Sequence, residues 1–249
     1  MSKDNYKVKT NKEIRAYARE QLLGNMLIPV VVTLFYMFAS MGFNNIASLG
    51  LMGEDVFSLI FYIVLTIVLQ TIRGIFIYGV SHYYLSFVTN KKARISSLFE
   101  GFKHSTDRIM GISFLLAIIA AVVNLPYYIY TFLFFQSSLK GFLIMIGLWI
   151  LGLLLNFLIS IYFAPIYYIM CDIEDITLPL AIVMSFSMMT SSKYFKYLRL
   201  KLSFIPLYLV SMLSFGFGLV WLTPYINTSE AYFYEDLCDE YESVNRKED

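Results

Sequence analysis

Long apolar stretches separated by short charged segments run through most of the chain. No charged residue occurs in residues 21–53, 109–139, 141–171 or 202–229, and a membrane-spanning helix needs about 20 apolar residues. A fifth stretch, residues 56–88, is interrupted only by Arg73. At about 1.5 Å per residue its length exceeds a hydrocarbon core of about 30 Å, so this helix must tilt or project. The pattern predicts an all-α fold, a polytopic transmembrane helical bundle.

The first four spans follow directly from this pattern, whereas the last apolar stretch is ambiguous. We expect spans at residues 23–43, 56–88, 109–134 and 142–170. Residues 202–229 form either one helix, giving five spans, or two helices at 195–215 and 217–237, giving six. We prefer six spans, because Ser214, Gly216 and Gly218 are unfavourable in the interior of a helix. Residues 177–192 lack charge but are too short to span, which predicts an interfacial or partly re-entrant helix with Pro179 in its first turn.

The segment before the first span has the spacing of an amphipathic helix. Thr10 or Asn11 can cap it, and four residues fall on one face, namely Ile14, Tyr17, Ala18 and Leu22. The basic residues of the other surface suit a helix lying against anionic head groups. The predicted organisation is a cytoplasmic amphipathic segment (1–22), a single transmembrane domain (23–237) and an acidic C-terminal tail (238–249).

Composition agrees with a membrane protein, and the distribution of charge predicts its orientation. Apolar residues make up 58% and charged residues 15%, against about 45–50% and 25% in a soluble domain. With six spans and the N-terminus inside, cytoplasmic segments hold 17 of the 19 Lys and Arg residues. The bias of basic residues toward the cytoplasm therefore predicts a cytoplasmic N-terminus.

No motif in the chain points to catalysis. The two cysteines and two histidines have no CxxC or metal-ligand spacing, and there is no GxSxG, HExxH, phosphate-loop or dinucleotide motif. We expect a protein that is not an enzyme and that uses no cofactor and no metal. With so few basic residues and no soluble domain, we expect no nucleic-acid partner.

Polar residues inside the spans are the candidate functional residues, because lipid offers them no partner. Gln70 and Arg73 are three residues apart in the second span, as are Asn227 and Glu230 in the sixth. Both pairs are expected in the inner half of the bilayer. One hypothesis pairs Arg73 with Glu230, and the alternative has Arg73 reaching the inner head groups while Glu230 is interfacial.

Two asparagines are expected nearer the middle of the membrane, Asn124 in the third span and Asn156 in the fourth. Such residues commonly form hydrogen bonds between helices, and substrate contact is the alternative. Each predicted apolar segment except the second span contains one proline, Pro165 among them. Discontinuous helices mark binding sites in transporters, but proline is also frequent in ordinary spanning helices.

Five segments, in order, resemble a bacterial integral membrane family known as domain of unknown function 975. They are NKEIRAYAREQLLGN (Asn11–Asn25), RISSLFEGFK (Arg94–Lys103), LSFI (Leu202–Ile205), GFGLVWLTPYINT (Gly216–Thr228) and FYEDL (Phe233–Leu237). The resemblance implies a multi-pass protein of the bacterial cytoplasmic membrane and supplies no catalytic residue, since the family's biochemical role is not established. Glu230 departs from the family, which is usually apolar at that point.

Two functions remain open. The first is a non-enzymatic scaffold or accessory component of the cell envelope, with membrane lipids, other membrane proteins or a second copy of the chain as partners. The second is a small transporter or a lipid- or peptide-handling protein. Its polar pocket would be lined by Gln70, Arg73, Asn124, Asn156, Asn227 and Glu230. Convergence of these side chains on one cavity favours the second function, and local capping of each favours the first.

Overall fold

A computed structural model describes residues 8–48, 56–89, 91, 93–103, 106–134, 138–173 and 175–245. Regular structure in these ranges is entirely helical, which confirms the all-α prediction. The α-helices are α1 (Asn11–Leu22), α2 (Leu27–Ser48), α3 (Val56–Val88), α4 (Thr106–Ile129), α5 (Leu139–Tyr162), α6 (Ile166–Asp172), α7 (Leu178–Met188), α8 (Ser191–Leu202), α9 (Ile205–Leu213) and α10 (Leu219–Asn245). A 3₁₀ helix covers Ile95–Phe102, and a π-helical turn, Tyr130–Phe134, extends α4.

Helix α1 begins as predicted, with Thr10 as its N-cap. The Thr10 side chain accepts a hydrogen bond from the Glu13 amide, and the Glu13 carboxylate accepts one from the Thr10 amide at 2.6 Å. Ile14 and Ala18 are fully buried, because this face packs against α8 and α10. The apolar face of α1 therefore contacts the protein itself, while Lys12 and Arg19 on its other surface remain exposed.

Within the described ranges, four apolar helical segments are long enough to cross a membrane, by length and composition. They are Leu27–Ile46, Val56–Val88, Thr106–Phe134 and Leu139–Asp172. Helix α3 has the predicted 33 residues, which corresponds to about 50 Å. It contacts α2, α4, α6, α10 and the 3₁₀ helix, so it is the central helix of the bundle.

The length of α3 is explained by the 3₁₀ helix, which sequence reasoning missed. Leu98 of this short helix is fully buried, and a Cβ atom on Gly79 of α3 would lie 2.2 Å from the Leu98 carbonyl oxygen. The last turns of α3 thus pack against the loop that follows it. Because protein surrounds these last turns of α3, they can lie outside the hydrocarbon core. This explains how the helix can be longer than the core is thick.

The C-terminal third folds as short helices followed by one long helix. The predicted break is present, with Phe215 and Gly216 at positive φ angles of 53° and 85°. Helix α9 has only nine residues, or about 13 Å, so it is shorter than the predicted span 195–215. Helix α10 continues to Asn245, beyond the point where the acidic tail was expected to begin. Helix α7 lies within the predicted interfacial segment and has Pro179 in its first turn.

Candidate functional site

A cavity of about 360 Å³ lies between α3, α4, α5, α6, α8 and α10. Four of the six predicted site residues line it: Gln70, Arg73, Asn156 and Glu230. The other polar lining residues are Ser113, Ser160, Tyr167, Tyr197 and Lys201. The tertiary structure therefore brings most of the predicted residues to a single site.

One wall of the cavity is fixed by a close approach of α3 and α4. A Cβ atom on Gly74 would lie 1.7 Å from Ser113 Oγ, so only glycine fits at this position. The Ser113 hydroxyl donates to the Ile109 carbonyl at 2.7 Å and lies 3.0 Å from the Tyr167 hydroxyl. Because the Ser113 proton is already used, Tyr167 is the donor in the second bond. This network ties α6 to α4 at the cavity wall.

Another part of the cavity wall contains a break in the fourth predicted span. The helix is interrupted at Pro165, which separates α5 from α6, and Phe163 and Ala164 at the break line the cavity. Proline removes a backbone donor and leaves carbonyls of the preceding turn without their usual partners. The Ser185 hydroxyl donates to the Tyr162 carbonyl at 2.7 Å, so α7 stabilises the broken end.

The carboxylate of Glu230 forms an ion pair with Lys201 of α8. The two side chains are 17% and 29% exposed, so the pair is largely shielded from solvent. The predicted ion pair between Glu230 and Arg73 is therefore not the one that forms, although both residues line the cavity. The reason is that α8 folds back beside α10 and places a lysine opposite Glu230.

Arg73 remains without a carboxylate partner among the described residues. Its Nε atom is buried and donates no hydrogen bond to any of these residues. With Lys201 neutralised by Glu230, the cavity wall carries a net charge of +1, located on Arg73. Such a group is costly in an apolar environment unless an anion or a hydrogen-bond acceptor compensates it.

The three predicted asparagines bond to other groups of the protein, and Asn156 does so while also lining the cavity. Asn124 donates to the Ala120 carbonyl at 2.7 Å, and its Oδ1 atom would lie 2.5 Å from a Cβ on Gly152 of α5. Asn156 donates to the Gly152 carbonyl at 2.8 Å. These amides thus bond within their own helices, not between helices as expected. Asn227 lies beside the hydroxyl of Tyr84, outside the cavity lining.

A ladder of ion pairs between α8 and α10 was not anticipated. Lys193 pairs with Glu240, and Lys196 Nζ lies 2.5 Å from Asp236 Oδ2; the pair of Lys201 with Glu230 continues the series. Asp236 is only 1% exposed and also accepts the Lys9 backbone amide at 2.9 Å. Lys193, Lys196 and Lys201 of α8 therefore bind carboxylates of α10. The helical spacing of Glu230, Asp236 and Glu240 in α10 is the sequence pattern that could have predicted these ion pairs.

No group of three or more potential metal ligands occurs in the parts of the chain that the structure describes. Cys171 and Cys238 form no disulfide, and His104 lies outside the described residues. No curated protein and no solved structure matches the chain. One family model, described as "Protein of unknown function (DUF975)", matches residues 1–240, and the chain therefore belongs to this family.

Proposed function

We propose that this protein binds a small amphiphilic molecule with an anionic group in the cavity beside Arg73, as a transporter or lipid- or peptide-handling protein. The observation that carries the proposal is the Arg73 guanidinium on the wall of a cavity lined by both polar and apolar side chains, without a carboxylate partner among the described residues. A guanidinium binds phosphate or carboxylate through paired hydrogen bonds. An anionic ligand would therefore compensate the one unneutralised charge of the site.

The shape of the site supports the same function. Its volume of about 360 Å³ falls in the usual range of ligand pockets, about 300–1,000 Å³. The helix break at Pro165 lies on the cavity wall, as in transporters whose discontinuous helices form the binding site. Apolar residues such as Leu116 and Ile159 complete the lining and suit the hydrocarbon part of an amphiphile.

The scaffold function has narrower support. It requires each intramembrane polar residue to be satisfied locally, and Asn124 meets that condition through its bond to Ala120. Arg73 does not, because its Nε atom is buried without a partner. The contrast favours ligand binding over a purely structural role.

For the cellular setting, we propose a multi-pass protein of the bacterial cytoplasmic membrane with its N-terminus in the cytoplasm. The distribution of Lys and Arg supports this orientation. The acidic end of α10 pairs with α8 and with Lys9 of the N-terminal segment, so all three would lie on the cytoplasmic side. Labelling of single cysteines introduced at Lys12 and Lys140 tests it. A membrane-impermeant maleimide should label Lys140→Cys from outside and should label Lys12→Cys only after permeabilisation.

The binding proposal is tested with dodecyl phosphate as the probe. Its affinity is measured by microscale thermophoresis on protein in nanodiscs, for wild type, Arg73→Gln and Lys140→Gln. The control removes one positive charge from an exposed position outside the cavity. Loss of a charged hydrogen bond should weaken binding by roughly 10- to 150-fold in Arg73→Gln and leave Lys140→Gln unchanged.

A second variant, Ala120→Trp, fills the cavity without changing its charge and should also abolish binding. Equal affinity for wild type and Arg73→Gln would refute the assigned role of the guanidinium. Equal affinity for wild type and Ala120→Trp would show that the probe binds elsewhere.

A further inference from the structure

A second groove, separate from the Arg73 cavity, runs between α1, α9 and α10. Its volume is about 650 Å³, and it shares no lining residue with the cavity. One helix of this groove is amphipathic and basic, and the other two are predominantly apolar at this point. The groove therefore joins a charged surface to an apolar one.

The charged end is formed by Arg15 and Arg19 of α1, together with Ser203 and Tyr225. The Tyr225 hydroxyl donates to the Arg15 carbonyl at 3.3 Å, which fixes α1 against α10. The Nε atom of Arg15 is buried without a hydrogen-bond partner. Neither arginine forms an ion pair with a carboxylate of the described residues, so two positive charges converge here without compensation.

The apolar end is formed by Leu207 and Val210 of α9 and by Trp221 of α10. These side chains are 41%, 62% and 58% exposed, so they offer a contact surface that the protein itself does not cover. The groove closes where α9 and α10 meet: a Cβ on Gly218 would lie 2.7 Å from Ser211 Oγ. From Tyr225 to Gly218 the groove extends about 10 Å along α10.

We propose that this groove binds one anionic phospholipid, with its phosphate at Arg15 and Arg19 and an acyl chain along Leu207, Val210 and Trp221. Arginine is suited to phosphate because its planar guanidinium offers paired donors. The acyl chain buries apolar surface that is otherwise exposed.

The polarity of the groove selects a membrane lipid over a soluble anion. Its arginine end lies with the charged ends of α1 and α8, whereas its other end leads to the turn after α9. There Phe215 is 96% exposed and Phe217 76% exposed. A lipid in the groove would thus lie parallel to the lipids of the adjoining leaflet, with its head group in the charged layer.

The test measures binding of dioctanoyl phosphatidylglycerol and dioctanoyl phosphatidylcholine to the full-length protein by native mass spectrometry. The variants are Arg15→Gln with Arg19→Gln, and Val210→Trp, which fills the apolar end. The matched control, Lys12→Gln with Lys140→Gln, removes the same charge from residues that are exposed and outside the groove. Arg73→Gln reports on the separate cavity.

The groove of the wild type should bind one phosphatidylglycerol in preference to phosphatidylcholine, in addition to any lipid held in the Arg73 cavity. The double arginine variant should bind it roughly 30-fold more weakly, given about fivefold per basic residue at a membrane surface. Val210→Trp should also lose the bound lipid, while the lysine control and Arg73→Gln should retain it. Retention by Arg73→Gln separates this site from the one proposed for the cavity.

Three outcomes would overturn the proposal. Unchanged binding in the double arginine variant removes the role of the guanidinium groups. Unchanged binding in Val210→Trp reduces the effect to surface charge without a groove. Displacement of the lipid by inorganic phosphate at millimolar concentration shows an anion site and not a phospholipid site.

Discussion

Replacing Gly74 with alanine should separate α3 from α4 and destabilise the bundle. In the folded protein the added Cβ would lie 1.7 Å from Ser113 Oγ and 2.3 Å from Ser113 Cβ. The second atom is bound directly to the backbone, so a change of rotamer cannot relieve the contact. The two helices must therefore move apart.

The expected cost combines overpacking with the loss of a hydrogen bond. Forcing an additional carbon into a tightly packed interface typically costs about 1–3 kcal/mol. The added Cβ would also lie 3.2 Å from the Tyr167 hydroxyl. Moving Ser113 away from it therefore disturbs the bond between Ser113 and Tyr167, and such bonds inside membranes contribute about 0.6 kcal/mol on average. Alanine also gains up to about 1 kcal/mol in helix propensity, so we expect Gly74→Ala to reduce the free energy of unfolding by about 1–3 kcal/mol.

The assay is unfolding of purified protein in mixed micelles, followed by circular dichroism as the denaturing detergent is increased. Gly147→Ala is the matched control, because Gly147 lies within α5 and nothing comes within 4 Å of its added Cβ. Alanine is the better helix former by up to about 1 kcal/mol, so the control should be as stable as wild type or slightly more stable.

A compensating substitution distinguishes local crowding from a general effect. Ser113→Gly removes the two clashing atoms, so the variant with both Gly74→Ala and Ser113→Gly should recover the overpacking part of the loss. It should not recover the hydrogen bond to Tyr167. If Gly74→Ala unfolds at the same detergent concentration as Gly147→Ala, the close packing of α3 on α4 is wrong.

Three further predictions concern the C-terminal helices. Glu230→Gln leaves Lys201 partly buried without its partner and should destabilise the protein by about 1–3 kcal/mol. The double variant with Lys201→Gln should show a coupling energy between the two residues of at least 0.5 kcal/mol. Strict additivity of the two single effects would contradict the ion pair. Burial raises the pKa of Glu235 above its ordinary 4.5, despite Lys9 nearby. The folded protein thus binds the Glu235 carboxyl proton more tightly than the unfolded chain does. The stability that protonation of Glu235 contributes is present below pH 4.5 and is lost as the pH rises through the raised pKa of the folded protein. Glu235→Gln should therefore flatten the decrease of melting temperature in that range, and parallel curves would argue against the shift. Gly216→Ala should lower the free energy of unfolding by about 1 kcal/mol, because Gly216 has a φ of 85°, which an L side chain disfavours. Gly42→Ala, at a helical position with open space around it, is the control and should not lower it in the same assay.

Features that depend on neighbouring residues were predictable from the sequence. The capping of α1 by Thr10, the 33 residues of α3 and the break before Gly216 all match the structure. In each case the cause is local: a side chain bonds its own backbone, an apolar stretch has a certain length, or a residue permits a positive φ. The sequence left open whether the intramembrane polar residues converge or are satisfied locally; Gln70 and Asn156 both line the cavity, and Asn156 also bonds within its own helix.

Only the tertiary structure decided which residues meet. Glu230 pairs with Lys201, 29 positions away, and not with Arg73; Asp236 binds the amide of Lys9, 227 positions away. In a membrane, lipid is as apolar as the helix surfaces. The hydrophobic pattern therefore shows which segments can span the membrane, but not which face of each helix packs against its neighbours. That choice depends on small residues such as Gly74 and on charges brought together from distant segments. The sequence by itself determined a helical membrane protein, and helix packing alone determined its charged cavity.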